Sequence, residues 1–278
     1  MAQAGTASSV TETLWDAVVI GTGMGGATIG YSLASQGFRV LFLEKGHEAV
    51  AERIGNLAET PEERLAEGHW PDRIAAEVDG AVSELFAPLG CGSGGSTLIY
   101  AAALERFERC DFEAVPGLEH PTAGWPITYD AMRSYYEGAE RLYRVQGTSD
   151  PLGEPASLRD PPKASEQDEL FMRDFARAGL HPYRLHVGIA YQPGCRECLG
   201  KLCPTGCKST ARSICLDPAI ESHGAKLLAD CEVTRLTAAA GHVTGVEFRR
   251  GDVAAVARGR VVILAAGTYR SATLLLQS

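Results

Sequence analysis

The feature that most limits what this chain can fold into is a glycine frame set between two apolar runs. Asp16 to Ile20 has strand character and leads into VVIGTGMGGATIG, Val18 to Gly30, where Gly21, Gly23 and Gly26 fill the spacing G-x-G-x-x-G. A strand that meets this spacing at the head of a helical segment has few uses for it. The first glycine makes a tight turn, the second lets backbone approach a diphosphate, and the third lets helix pack on strand. Ile29 and Leu33, one helical turn apart, predict the sheet-facing side of that helix, and Gly37 is placed to end it. RVLFLEKG, Arg39 to Gly46, then reads as a second buried strand closing on Glu44. The spacing therefore predicts one βαβ half of an α/β, Rossmann-like nucleotide-binding domain.

The chemistry of such a turn is specific. Met24 and Gly25 complete a first helical turn whose free N–H groups and positive dipole end face a diphosphate. Glu44, about 20 residues on, can accept hydrogen bonds from ribose hydroxyls and disfavours a 2′-phosphate, with Lys45 beside it. The triplet does not separate NAD from FAD, since both carry the same adenosine diphosphate end.

Composition excludes other classes. The chain has 278 residues, enough for a substantial core, and no apolar run reaches the roughly 18 residues that a membrane helix needs. A formal net charge of -9 disfavours sequence-independent contact with phosphate backbones, so nucleic acid is not an expected partner. MAQAGTASSVTET, at the N-terminus, lacks the basic start and apolar stretch of a secretory signal and reads as a frayed leader; the expected address is cytoplasmic.

Further along, Ala49 to Ala87 reads as helical and charged, and LGCGSGGSTLIYAAA is a second glycine-rich turn. Thr128 caps a helix on which Met132, Tyr136, Ala139 and Tyr143 recur at helical spacing. Residues 148–169, with Pro151, Pro155, Pro161 and Pro162, read as a surface excursion or lid. Asp217 as cap, Pro218 and Gly224 frame a short helix. CEVTRL, VTGVEF and GRVVILAAG form an antiparallel meander leading to a final buried strand. Cys195, Cys198, Cys203 and Cys207 follow C-x2-C-x4-C-x3-C, near the ferredoxin spacing without matching it. An iron-sulfur cluster, zinc, and a metal-free loop of buried or paired thiols all remain open for these four, the metal-free loop being favoured and no metal ligand assigned.

Taken in order, DAVVIGTGMGG with FLEKG, LGCGSGGSTLIYAAA, GWPITYDAMRSYYEGAERLY, CKSTARSICLDPAI and VVILAAGTYRSATLLL resemble the N-terminal part of a GMC (glucose-methanol-choline) flavin oxidoreductase, nearest its cholesterol-oxidase-like branch. The resemblance covers nearly all of residues 14–278. It implies FAD as cofactor, with Gly92, Gly94, Gly95 and Ser96 along its flavin side. It also implies backbone at Val233 against the adenine, and Ala265, Ala266 and Gly267 beneath the cofactor. For Val233 a plain core position is an equal reading. Tyr100 falls where some sterol oxidases carry asparagine near the flavin, and Cys91 is read as a small buried residue before a point of covalent flavin attachment.

The implied reaction is oxidation of a small-molecule alcohol, with hydride passing to flavin while a base takes the hydroxyl proton. The family carries that histidine in a C-terminal segment. His47, His69, His120, His181, His186, His223 and His242 match no such motif, so no catalytic residue is assigned. The expected division is an FAD-binding domain over 14–106 and 226–278, with part of a substrate domain inserted over 107–225. Ser278 falls in an apolar helix without a C-cap, which predicts a fragment, or half of an enzyme completed by a partner chain. An NAD-linked dehydrogenase, or an FAD-binding electron-transfer subunit that needs a partner, are the alternatives.

Overall fold

The structure, a computed structural model, describes residues 7–48, 60–198 and 200–278. The chain opens with α1 (Ala7–Glu12), β1 (Leu14–Ile20), α2 (Met24–Ser35) and β2 (Val40–Leu43). Next come α3 (Pro61–Ala66), β3 (Ile74–Val78), β4 (Ala81–Leu85), α4 (Arg109–Phe112), α5 (Tyr129–Leu142) and α6 (Glu166–Arg177). A π-helical turn over Arg212–Leu216 continues into α7 (Asp217–His223). The chain then runs through β5 (Lys226–Leu228), β6 (Glu232–Ala239), β7 (His242–Arg250), β8 (Val253–Leu264) and α8 (Gly267–Leu276).

Six strands form one sheet in the order β5-β2-β1-β8-β7-β6. β1 pairs in parallel with β2 and with the second half of β8, from Leu14↔Arg258 to Ile20↔Leu264. The first half of β8 is antiparallel to β7, from Val246↔Ala257 to Arg250↔Val253. One strand thus joins the Rossmann half to the meander. All four residues of β2 are buried, as in strands covered on both faces. The core of this sheet is built on Val18, Ile20, Leu41, Leu43, Leu228, Val246 and Phe248. The α/β, Rossmann-like expectation holds.

Several local expectations do not. The N-terminal leader reading fails over 7–12, which is helical: Val10 is buried, and its carbonyl accepts from Trp15 Nε1 at 3.1 Å. The sheet-facing side of α2 is not Ile29, which is 40% exposed, but the small residues Gly26, Ala27, Gly30 and Ala34. Small residues let the helix approach; a Cβ on Gly30 would come within 2.2 Å of the Phe42 ring.

Of the helical reading of 49–87, residues 49–59 lie outside the described residues. The rest holds only for α3, where Thr60 and Glu63 form a reciprocal cap. Beyond it lies a hairpin, turned at Asp79 and Gly80, both at positive φ (51° and 79°). Asp-Gly favours that primed turn.

On α5, Thr128 accepts from the Ala131 amide at 3.3 Å as expected. Tyr143 is buried, as that spacing predicts, whereas Ala139 faces outward and Tyr129 and Glu140 are buried as well. A buried carboxylate at that position has its own reason, since Arg106 holds Glu140 by two hydrogen bonds of 2.6 and 2.7 Å. The excursion stops at Ser165, whose side chain caps α6, so 166–169 are helix. Asp217 is not a cap, because the chain is already helical at Leu216; Thr210 and Ser213 exchange hydrogen bonds one turn earlier. Gly224, at φ +71°, ends α7 as expected. The final strand is not buried throughout, Val261 being 56% exposed.

The chain divides into two compact units. One is Met1–Tyr100 with Gly200–Pro204 and Thr210–Ser278; the other is Ala101–Leu199 with Thr205–Ser209. Among the described residues no helix is long and apolar enough to cross a membrane.

Candidate dinucleotide site

A cleft of about 390 Å³ opens at the carboxyl ends of β1, β2 and β8, and every residue lining it belongs to the first unit. That is where open α/β sheets place their ligands. Two turns meet there.

The first turn is the glycine frame. Gly21 takes φ +95°, and a Cβ on it would lie 2.5 Å from the Ala265 carbonyl oxygen. Only glycine fits both demands. A Cβ on Gly26 would lie 2.1 Å from the Gly21 oxygen, so this residue sets the closeness of helix to turn and does not line the cleft. Around Gly23 and Gly25 a Cβ would meet nothing within 4 Å, and both line the cleft with Met24. α2 begins here with no side-chain cap, leaving its first amides without intrahelical acceptors. α8 likewise starts uncapped at Ala266, and Ala266 and Gly267 line the same cleft.

The second turn holds Gly92, Gly94, Gly95 and Ser96. Gly95 and Ser96 line the cleft; Gly92 and Gly94 stand behind it. The two turns touch, since a Cβ on Gly95 would lie 2.9 Å from the Gly23 Cα. Val233 lines the cleft from β6, the edge strand, beside a register shift between Val233 and Arg235.

Glu44 also lines the cleft, yet it is only 7% exposed and its carboxylate is occupied by protein donors. Oε2 accepts from the Thr22 amide at 2.9 Å and the Thr22 hydroxyl at 2.6 Å; Oε1 accepts from the Gly46 amide at 2.9 Å. Burial pushes its pKa up, against these hydrogen bonds, which favour the ionised form. Lys45 sits at the rim with its ammonium on Asp72 and, at 2.9 Å, on Glu232. Arg270 reaches the same Asp72 at 3.3 Å. The hydrogen bond from Lys45 holds the Asp72 carboxyl below its ordinary range. Sequence reasoning missed Thr22, Glu232 and Arg270: their roles arise from contacts across many residues, with no local signal.

Burial pushes the Cys91 thiol up to about 12, so it is protonated at neutral pH. Covalent attachment draws on the thiolate, and packing is the better account of this residue. Tyr100 and the seven histidines are not among the residues lining the cleft. His47 pairs with Asp230, His186 lies 2.7 Å from Glu105, and the His223 ring stands edge-on to Tyr31. Among the described residues no three His, Cys, Asp or Glu side chains converge to hold a metal.

A parallel Rossmann half joined to an antiparallel meander, with a glycine-lined cleft at its strand ends, defines the class of dinucleotide-binding folds. Residues 3–278 match the family described as GMC oxidoreductase, and the chain belongs to that family of oxidoreductases. Among curated relatives, 6'''-hydroxyparomomycin C oxidase of Streptomyces lividus is 28% identical over 96% of this chain and 50% of its own length. 2-Methyl-1,2-propanediol dehydrogenase of Mycolicibacterium austroafricanum is 27% identical over 95% and 50%. The chain thus spans about half the length of the curated relatives it matches. The crystal structure of pyridoxine 4-oxidase from Mesorbium loti superposes with a TM-score of 0.61 at 21% identity, covering 95% of this chain and 52% of that one, a likeness of fold.

Proposed function

We propose that this chain forms the FAD-binding half-site of an oxidoreductase that acts on the CH–OH group of a small-molecule alcohol. The observation that carries the reading is the pairing of uncapped helix amides with two open glycines at the mouth of a glycine-lined cleft. The donor set fits a dinucleotide. Amides at Gly23, Met24 and Gly25 would hold the diphosphate, and Glu44 would stand at the ribose. Val233 would offer backbone to the adenine, Gly95 and Ser96 would lie along the flavin side, and Ala266 with Gly267 would form the floor. Gly92 and Gly94 would support that wall from behind, as Gly26 supports the first turn.

When bound, FAD supplies the hydride acceptor for oxidation of the carbinol carbon. The chain's own residues bind and orient. None of the seven histidines lines the cleft, and none is assigned as the proton acceptor that such a reaction needs. The names of the relatives, a 6'''-hydroxyparomomycin C oxidase and a 2-methyl-1,2-propanediol dehydrogenase, support a polar hydroxy compound over a sterol.

The test is to denature the purified protein and record the absorbance of whatever it releases, then to titrate it with FAD and with NAD. Flavin bands, or saturable quenching of flavin fluorescence, support the reading. Binding of NAD with no affinity for FAD would replace it with a nicotinamide-linked dehydrogenase.

A further inference from the structure

At the inner wall of the cleft lies a buried hydrogen-bond junction centred on Thr22, a residue to which the proposed chemistry gives no role. Thr22 occupies the variable position between the first two glycines of the frame, where the backbone makes no demand on side-chain type. It is nonetheless fully buried. Its hydroxyl donates to Glu44 Oε2 at 2.6 Å and accepts from the Gly94 amide at 3.1 Å. Donor and acceptor roles are thus both filled, which fixes the hydroxyl rotor. The Gly94 peptide is held on both sides, because its carbonyl accepts from the Thr97 hydroxyl at 2.6 Å. Thr97 in turn accepts from the Ala211 amide at 2.9 Å. Gly94 stands at φ +112°, so this clamp holds the conformation that aims Gly95 and Ser96 at the cleft.

We propose that Thr22 is a positioning residue that locks the two glycine turns together, holding Glu44 with one side of its hydroxyl and the Gly94 amide with the other. The inference rests on the dinucleotide reading for its functional consequence and on the geometry alone for its structural one. Without the hydroxyl, the Gly94 N–H is left buried without an acceptor and Glu44 loses a hydrogen bond. The backbone hydrogen bond from Gly92 still ties the carboxylate to the second turn, but the Gly94 peptide is no longer held from this side, and a ligand has more to order on binding.

Thr22→Val removes the hydroxyl at nearly constant volume; Thr22→Ala removes it without apolar bulk and serves as the second variant; Thr22→Ser keeps it. Amide hydrogen exchange over residues 92–97 is measured on each protein without ligand, with β6 and β7 as the control for overall folding. FAD affinity is read by fluorescence titration. Exchange in that segment is expected to rise about tenfold or more in Thr22→Val and Thr22→Ala, with FAD affinity about tenfold weaker, while Thr22→Ser stays within about threefold of the parent in both. Unchanged exchange over 92–97 in the hydroxyl-free variants overturns the proposal, and so does a loss in Thr22→Ser equal to theirs. A parent protein that binds no FAD refutes the functional reading, and the exchange data alone then decide the role of Thr22.

Discussion

At the scale of single residues, the glycines of the first turn do different jobs that their spacing alone does not distinguish. A Cβ on Gly26 collides with the Gly21 carbonyl, whereas on Gly23 it enters open cleft. Gly26→Ala should therefore lower unfolding free energy by about 3 kcal/mol in urea titrations, through overpacking against backbone that cannot yield. Gly23→Ala should cost less than about 1 kcal/mol, the difference between the two as helix caps, yet weaken FAD binding about tenfold or more. Equal stability losses in the two variants would refute this division. Glu44 carries a second expectation. Burial lifts its folded pKa above the ordinary 4.5, so the native state retains a proton that the unfolded chain has released. Stability from this group is fully present below pH 4.5 and is lost as pH rises through the folded pKa. Glutamine does not titrate, so the stability of Glu44→Gln relative to the parent should climb with pH across that window. Denaturant midpoints at about pH 4.5, 6 and 7.5 check the slope, and a constant gap refutes it.

At the scale of elements, the approach of α2 to the sheet rests on small residues rather than on an apolar stripe. Gly30 lies against the ring of Phe42, whose side chain is fully buried. Gly30→Ala alone is expected to cost about 1–3 kcal/mol, and Phe42→Leu alone a similar amount through lost packing. Together they should cost less than the sum by at least about 0.5 kcal/mol, since the shorter side chain vacates the space that the new methyl needs. Strict additivity in a double-mutant cycle would show that α2 shifts as a body instead. The same closeness places the head of α2, with its free amides, at the ends of β1 and β2. Elements misread from sequence share one cause. In the β3–β4 hairpin only Ile74 and Ala76 are half-buried and every other strand residue is exposed, so no strong core face marks it as a strand. β5 has three residues and is a strand only because β2 offers it an edge.

At the scale of the molecule, all residues lining the cleft come from the first unit, although Tyr100 and Gly200 in that unit are separated by nearly the whole of the second. Ligand binding is therefore expected to register as stabilisation of the first unit. With free FAD at a hundred times its dissociation constant, the unfolding free energy of that unit should rise by about 2.7 kcal/mol, while NAD at the same concentration should leave it unchanged. Denaturation followed by tryptophan emission in a Trp125→Phe variant, which leaves Trp15 in β1 and Trp70, reads it directly. A midpoint moved by NAD and not by FAD would transfer the cleft to nicotinamide chemistry.

What the sequence by itself determined is local and periodic. The strand-turn-helix-strand run, the glycine frame, the acid after β2, the Thr128 cap and the Gly224 stop are all written within a few residues of where they act. So is the membership that the ordered motifs announce, because motif order is a property of the chain. The tertiary structure decided what depends on residues far apart: the small-residue face of α2, the pairing of Arg106 with Glu140, the rim of Lys45, Asp72, Glu232 and Arg270, and the junction of Thr22 with Glu44 and Gly94. Hydrogen bonds and close packing act over a few ångströms, and only the folded sheet brings these groups within that reach.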